Sequence, residues 1–291
     1  MIYKYGLDPS SKKFVCPKCH HKTFVRYIDN STYNYLEDQF GKCDRKINCD
    51  YHHKPSGNLK QYNLIKPKKE APPTYISLEV VELSFLSKDK NNFISFLYDK
   101  FSKSEVDKAV ADYLIGTSKK RKNATIFWQI DNDEKVRTGK VMLYDPKTGK
   151  RLKSNNGKSH INWVHKFQKE KYNLKQCLFG LHLIIDNPEK KIALVESEKT
   201  AVIMSIKKPQ YLWLATGSLH GFKDEMLKPL KSFKITAFPD KGAYRIWLKT
   251  AYKLNKLEYK IVVSDYIDRN EYKEGTDLAY IVLINKKQNK L

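Results

Sequence analysis

No stretch of this sequence approaches the roughly 18 consecutive apolar residues of a membrane span, and Met1-Ile2-Tyr3-Lys4 does not open a signal peptide. An integral membrane protein is excluded on that ground; the expectation is a cytoplasmic protein with no membrane partner. Cysteine is scarce: five residues, too few and too unevenly placed for a secreted disulfide scaffold. No G-x4-G-K-[ST] run occurs, which excludes a fused P-loop motor. Acidic residues are short as well, with 32 Asp+Glu against 55 Lys+Arg and a formal net charge of +23 at pH 7. What is present is 41% hydrophobic and 12% aromatic residues in 291, enough to bury a core in one large or two to three small domains. The basic surplus is spread over the whole chain and is not a detachable tail. Such a distribution suggests a polyanion partner, nucleic acid by default, against the alternative of a merely well-solvated surface.

Four of the cysteines fall in the first fifty residues, as Cys16-Pro17-Lys18-Cys19 and then Cys43 and Cys49. A C-x2-C pair puts two thiolates on one tight knuckle, and a C-x5-C pair closes the site after a 23-residue excursion. Thr23 to Ile28 and Tyr33 to Leu36 read as hairpin strands around a turn at Asp29-Asn30-Ser31. The reading is a zinc ribbon in which Cys16, Cys19, Cys43 and Cys49 hold structural Zn2+, with His52 or His53 able to stand in for Cys49. In so small a module the metal would supply most of the folding free energy, on the order of 10 kcal/mol. A disulfide or redox role is the alternative. Cys177, alone in an apolar stretch, reads as a buried small hydrophobe.

Lys66 to Pro73 is charged, proline-rich and apolar-poor, and reads as a linker. Helical spacing follows over Leu78–Leu86 and Phe93–Phe101, and Ser104-Glu105-Val106-Asp107 opens a further helix toward Tyr113. From Ala124 to Asp131 and Thr138 to Asp145 the texture is β-rich, punctuated by Asn132-Asp133 and Pro146-Lys147-Thr148-Gly149. Basic residues cluster here, among them Lys119 to Lys122, Lys135, Arg137, Lys140, Lys147, Lys150, Arg151, Lys153 and Lys158. Trp128, Tyr144, His160 and Trp163 are interspersed. Cations beside aromatic stacking surfaces suit a nucleic-acid strand; for any single lysine a solvated face is the simpler reading.

The last hundred residues alternate apolar strands and helices. Strands are expected at Lys191–Val195, Tyr211–Ala215, Lys234–Phe238 and Tyr259–Val263. Helices are expected from about Lys199, over Phe222–Leu230, over Ala243–Leu254 and over Leu278–Ile284. Runs apolar on both faces predict a parallel sheet flanked by helices. Glu196, Asp240 and Asp265 each follow a strand, at the edge where open α/β sheets bind ligands. Carboxylates gathered there repel one another, so a hard divalent cation, Mg2+ or Mn2+, is the natural occupant. Helix capping is the competing role for strand-end acids, for Asp265 above all.

Ala193-Leu194-Val195-Glu196-Ser197-Glu198-Lys199-Thr200-Ala201 resembles the first Toprim motif of DnaG-type primases, topoisomerases and related nucleases. Leu214-Ala215-Thr216-Gly217-Ser218 is similar to the Toprim glycine loop, and Phe238-Pro239-Asp240-Lys241-Gly242-Ala243 sits where that family has its D-x-D. Phe127-Trp128-Gln129-Ile130-Asp131 resembles the "F-P-I-x-D" strand of the primase core. Leu178-Phe179-Gly180-Leu181 matches its "L-[FY]-G-L", and Lys158 to Trp163 faintly echoes its nucleic-acid-facing segment. The order of modules is that of a compact bacterial, phage or mobile-element primase. One acid of the D-x-D is missing: either Gly242 stands in place of the second or Phe238 in place of the first. Asp265, Asp268 or Asp277 could compensate, Glu274-Gly275-Thr276-Asp277 resembling a later acidic "G-x-D".

The resemblance implies an α/β fold: a Toprim-like parallel sheet flanked by helices, preceded by a mixed α+β basic subdomain and an N-terminal zinc β-ribbon. The expected divisions are a ribbon over 1–65, a linker over 66–76, a basic subdomain over 77–185 and a Toprim domain over 186–291. It implies a magnesium-dependent nucleotidyltransferase that makes short RNA primers on single-stranded DNA from nucleoside triphosphates, working beside a separate helicase. Glu196 and Asp240 would hold magnesium with Asp265 or Asp277 assisting, and Lys122, Arg137, Lys140, Lys158, His160 and Lys199 would contact nucleic acid or nucleotide. The alternatives are a catalytically decayed DNA-binding accessory protein of a mobile element, and a Toprim nuclease.

Overall fold

The computed structural model describes residues 4–10, 12–30, 32–55, 71–87, 90–153, 161–168 and 170–288. The chain divides into two compact units, Met1–Ala71 and Pro72–Leu291. Residues 66–70 of the expected linker lie outside the described residues, as does Ser31 of the expected ribbon turn. Among the described residues no helix is long and apolar enough to cross a membrane.

The first unit is an antiparallel sheet of four strands in sequence order: β1 (Tyr5–Leu7), β2 (Phe24–Asp29), β3 (Gly41–Cys43) and β4 (His52–His53). Its core is Cys16, Phe24, Cys43 and Cys49, with Phe14 and Tyr51 packed against them. The expected strand at Tyr33–Leu36 is a correction: it makes one bridge, Ile28 to Tyr35, and β2 pairs instead with β3, Phe24 opposite Cys43. Tyr33, at φ +60°, lies in the turn that brings the chain back along β2, where the Asp29 N–H donates to the Asn34 carbonyl and the Leu36 N–H to the Tyr27 carbonyl before the segment leaves the sheet.

The second unit opens with α1 (Leu78–Phe85), α2 (Asn92–Lys100) and α3 (Lys103–Asp112), followed by an antiparallel meander of β5 (Gly116–Thr117), β6 (Thr125–Ile130), β7 (Val136–Met142) and β8 (Asn162–Trp163). α3 starts where a helix should, at a capping box made by Ser102 and Glu105. Then come β9 (Lys191–Val195), α4 (Glu198–Lys207), β10 (Tyr211–Ala215), the short α5 (Asp224–Leu227), β11 (Lys234–Phe238), α6 (Tyr244–Asn255), β12 (Lys260–Val263) and α7 (Leu278–Gln288). The four strands from β9 to β12 form a parallel sheet in the order β10-β9-β11-β12. The helix expected over Phe222–Leu230 is broken into α5 and flanking single turns, Pro229 standing in the second of them.

Alternation along β9 explains why both faces of the parallel sheet are covered. Ala193 and Val195 join a cluster with α2, α3, α4, α7 and Phe127 of β6, while Ile192 and Leu194 join a second with α5 and α6. The first cluster runs without interruption from the antiparallel sheet into the parallel one, so the two sheets share a core. Asn91 is a polar hub within it. Fully buried, its carbonyl oxygen caps α2 by accepting from the Phe93 and Ile94 N–H groups and also accepts from the Thr125 hydroxyl. Its amide donates to the Gly116 carbonyl and the Thr117 hydroxyl. Asn91→Ala strands several of these groups at once and is expected to lower stability by about 2–3 kcal/mol. A urea melt checks this: the midpoint should fall with an unchanged slope, and an unmoved midpoint would contradict the role.

Candidate active site

β9 and β11 are neighbours, with Val195 in register with Phe238, so Glu196 and Asp240 leave the same edge of the sheet side by side. A backbone hydrogen bond from Asp240 reaches the Glu196 carboxylate. Burial pushes the Glu196 carboxyl up, and that hydrogen bond opposes the shift. Asp240 moves further, from the usual 3.8 to about 8: burial is the largest cause, then the negative charges of Glu196 and Asp277, against the opposing charges of Lys199 and Arg151.

Asp277 arrives from a distant part of the chain. The loop after β11 is laced to the loop before α7 by the Lys241 N–H to the Thr276 carbonyl (2.9 Å) and the Gly275 N–H to the Lys241 carbonyl (3.2 Å). The Lys241 ammonium adds bonds to the Asp268 and Asn270 carbonyls, and the Asp268 carboxylate takes the Gly242 N–H at 3.0 Å. Asp277 then caps α7, accepting from the Tyr280 N–H at 2.7 Å, and lies 3.8 Å from the Lys199 ammonium. Gly242 has φ +89°, and a β-carbon there would come within 2.1 Å of the Glu274 carboxylate. The position therefore takes glycine, with Glu274 filling the space of a side chain.

The other sequence candidates are dispersed. Asp265 is exposed and faces Arg269 at 4.0 Å on its own turn. Lys122 is exposed in the turn before β6. Lys158 and His160 lie outside the described residues. Lys140 and Arg137 are not available as surface phosphate contacts. The Lys140 ammonium is buried against Glu198 and the Gly217 carbonyl, and the Arg137 guanidinium is paired at 2.6 Å with buried Asp131. Both sit on β7, on opposite faces of a strand that is buried along nearly its whole length.

Two residues not singled out as site residues from sequence stand close to the acids. Arg151 pairs with Tyr144 across the Pro146–Gly149 turn, and its charge is felt at both Asp240 and Tyr144. The buried Tyr144 hydroxyl is held well above its usual range by burial and then by Glu198. The hairpin signal of Pro146-Lys147-Thr148-Gly149 was the available clue to Arg151. On the outer part of the antiparallel sheet Trp163, His165 and Tyr172 form a run of neighbouring rings, with centroids 5.9 and 5.6 Å apart. The Arg137 and Lys135 cations lie over Tyr75.

The ribbon cysteines form a separate centre. The Cys16 and Cys49 sulfurs are 3.7 Å apart, Cys19 and Cys43 3.8 Å, and all four sulfurs lie within 4.8 Å of one another with no disulfide. Four thiolates at about 2.3 Å from a tetrahedral zinc stand about 3.8 Å apart, so the set fits structural Zn2+. The Cys19 thiol is lowered to about 6, chiefly by a backbone hydrogen bond from His21. His52 stacks on Tyr27 and bonds its hydroxyl; neither His52 nor His53 belongs to the ligand group. Among the described residues these cysteines are the one group of three or more ligands gathered this tightly. The carboxylate site is a looser set, which suits magnesium: that ion takes one or two carboxylates and keeps several waters.

The Asp240 shift has a stability consequence. Between pH 3.8 and about 8 the folded protein keeps a proton that the unfolded chain has lost, so stability falls as pH rises through that window. Asp240→Asn removes this loss. In metal-free buffer its melting temperature should exceed that of the parent at pH 9 and match it near pH 4, the gap opening as pH rises through the window. Parallel pH profiles for the two proteins would refute the crowding of Asp240.

Comparison with known proteins followed the same modules. A zinc beta-ribbon finger family matches residues 3–63, and a domain-of-unknown-function family, DUF6371, matches residues 91–241. No curated protein matches the chain. Among solved structures, the primase fragment of the bacteriophage T7 primase-helicase protein is 15% identical over 94% of this chain and 98% of that one, with a TM-score of 0.44. The zinc-binding and RNA polymerase domains of Aquifex aeolicus primase are 13% identical over 98% and 78%, at 0.42. The E. coli primase catalytic core is 11% identical over 72% and 78%, also at 0.42. These are DnaG-type primases and relatives, the group the sequence resembles; at such scores they carry no argument about the site. The match across the body of the chain identifies it: the protein belongs to the DUF6371 family, with a zinc beta-ribbon finger ahead of that domain.

Proposed function

We propose that this protein is a primase-like, magnesium-dependent nucleotidyltransferase that makes short RNA primers on single-stranded DNA, its parallel sheet serving as a Toprim-type domain. The observation that carries this reading is the pairing of Glu196 with Asp240 on adjacent strand ends, with Asp277, Lys199 and Arg151 around them. Magnesium, when bound there, supplies charge neutralisation and orientation of a nucleophilic oxygen. Glu196 and Asp240 are the residues that would hold it, and Asp240 would have to give up its carboxyl proton to do so. Asp277 keeps Lys199 turned toward the acids, and Lys199 and Arg151 meet the phosphates of the incoming nucleotide. The template strand runs over the antiparallel sheet, its bases stacking on Trp163, His165 and Tyr172 and its phosphates near Lys122 and Lys166. Asp265 lies outside this arrangement. A cytoplasmic setting, a separate helicase partner and a mobile-element origin complete the reading.

A second reading, a DNA-binding accessory protein with a decayed metal site, is favoured by the lost acid of the D-x-D pattern, with Gly242 or Phe238 standing where the resemblance calls for a second carboxylate. The two separate in one assay with single-stranded DNA of varied sequence, labelled ribonucleotides and magnesium. The primase reading predicts short RNA products that fall about 100- to 1,000-fold in Glu196→Ala, the scale of losing one preorganised charge-stabilising group. Tight DNA binding with no product from the parent protein, or equal product from the variant, would sink it.

A further inference from the structure

The best-defined interaction around the acidic site is one that touches no substrate. The Lys140 ammonium, on β7 of the antiparallel sheet, is 3.0 Å from both carboxylate oxygens of Glu198 and 2.8 Å from the Gly217 carbonyl. The side chains are 7% and 2% exposed, so this is a buried ion pair closed over a backbone oxygen. Glu198 is the first residue of α4, two positions after Glu196, and Gly217 lies in the loop after β10, the strand on the other side of β9. One ammonium thus ties together two loops at the carboxyl edge of the parallel sheet, from outside that sheet.

Among the described residues the first turn of α4 makes two ion pairs, and Lys140–Glu198 is shorter and more buried than Lys199–Asp277 at 3.8 Å. Ser197, at its N-cap, makes no side-chain capping bond. Gly217 has φ +75°, and a β-carbon there would sit 3.1 Å from the Glu198 carboxylate, so the close approach depends on glycine. A carboxylate as buried as Glu198 requires a partner, and Lys140 is the one it has. Residues that orient metal ligands without touching the metal commonly govern affinity as strongly as some ligands do.

We infer that Lys140 is a positioning residue, holding Glu198 and the Gly217 loop so that Glu196 is presented beside Asp240 for a divalent cation; this rests on the metal-site part of the proposed function. The expected role of Lys140 as a phosphate contact is replaced by one inside the protein. Lys140 is distinct from a purely structural residue because its loss should move the cation affinity more than the fold.

Manganese affinity of the zinc-loaded protein, read from the free-ion electron paramagnetic resonance signal, tests this without reference to polymerisation. The Lys140→Met/Glu198→Leu double variant replaces the ion pair with an apolar pair, which can keep a fold intact, and its manganese affinity should fall about 10- to 100-fold. Lys140→Arg, which keeps a cation facing Glu198, should lie between the parent and the double variant, and it serves if the double variant does not fold. Leu254→Ala, in the cluster on the far face of the sheet, is the control for stability loss alone and should keep the parental affinity. Parental affinity in the double variant, or an equal fall in Leu254→Ala, would overturn the inference. A parent that binds no manganese would overturn the metal site with it, whereas a parent that binds manganese but makes no RNA would count against the primase reading alone.

Discussion

Everything at the carboxyl edge of the parallel sheet answers to one electrostatic problem: Glu196, Asp240 and Asp277 are crowded into a partly buried space where like charges cannot all be ionised cheaply. The protein offsets the crowding in part with Lys199 and Arg151, and otherwise leaves a proton on Asp240. A structure that only needed stability would have no reason to keep the acids together. On the proposed function, groups perturbed and gathered in this way are held for a ligand, and the ligand that would resolve the conflict best is a cation.

The rest of the second unit can be understood as support for that edge. The shared core fixes the antiparallel sheet against the parallel one, which lets Tyr144 and Arg151 come from the first to acids on the second. The backbone lacing between the loops after β11 and before α7 does the same for Asp277 across a long sequence separation. Part of the large basic surplus is used internally: Lys140 and Arg137 neutralise buried acids. The exposed remainder, with the aromatic run of Trp163, His165 and Tyr172, provides the cationic and stacking surface of the proposed template path.

Much of this was legible in the sequence wherever the signal was local. The C-x2-C and C-x5-C spacings identify the four ligands because a tetrahedral metal constrains short loops directly. Strands apolar on both faces announce the parallel sheet, and the acid at the end of β9 and that at the end of β11 meet because those strands are neighbours. The same strand-end pattern misleads at Asp265. β12 is the outer strand, with β11 between it and β9, so its end lies about 10 Å from that of β9 at the usual strand spacing, and Asp265 turns to Arg269. Lys140 and Arg137 misled for another reason: a cation in a β-rich run looks the same whether it faces solvent or a buried carboxylate whose position depends on tertiary packing. The aromatic alternation at Tyr33–Leu36 suggested a full strand, but the segment returns along β2 for a single bridge, Ile28 to Tyr35, and the ladder next to it belongs to β3.

The most direct test of the central claim is the proton count on cation binding. Calorimetric titration of magnesium into the zinc-loaded protein, repeated in buffers of different ionisation enthalpy, measures it. Because Asp240 titrates near 8 in the metal-free state, binding at pH 7 should release close to one proton and binding at pH 9.5 almost none, since ligands must be deprotonated to coordinate. No heat of binding, or binding at pH 7 with no proton released, would contradict the claim that crowded carboxylates at this edge await a divalent cation.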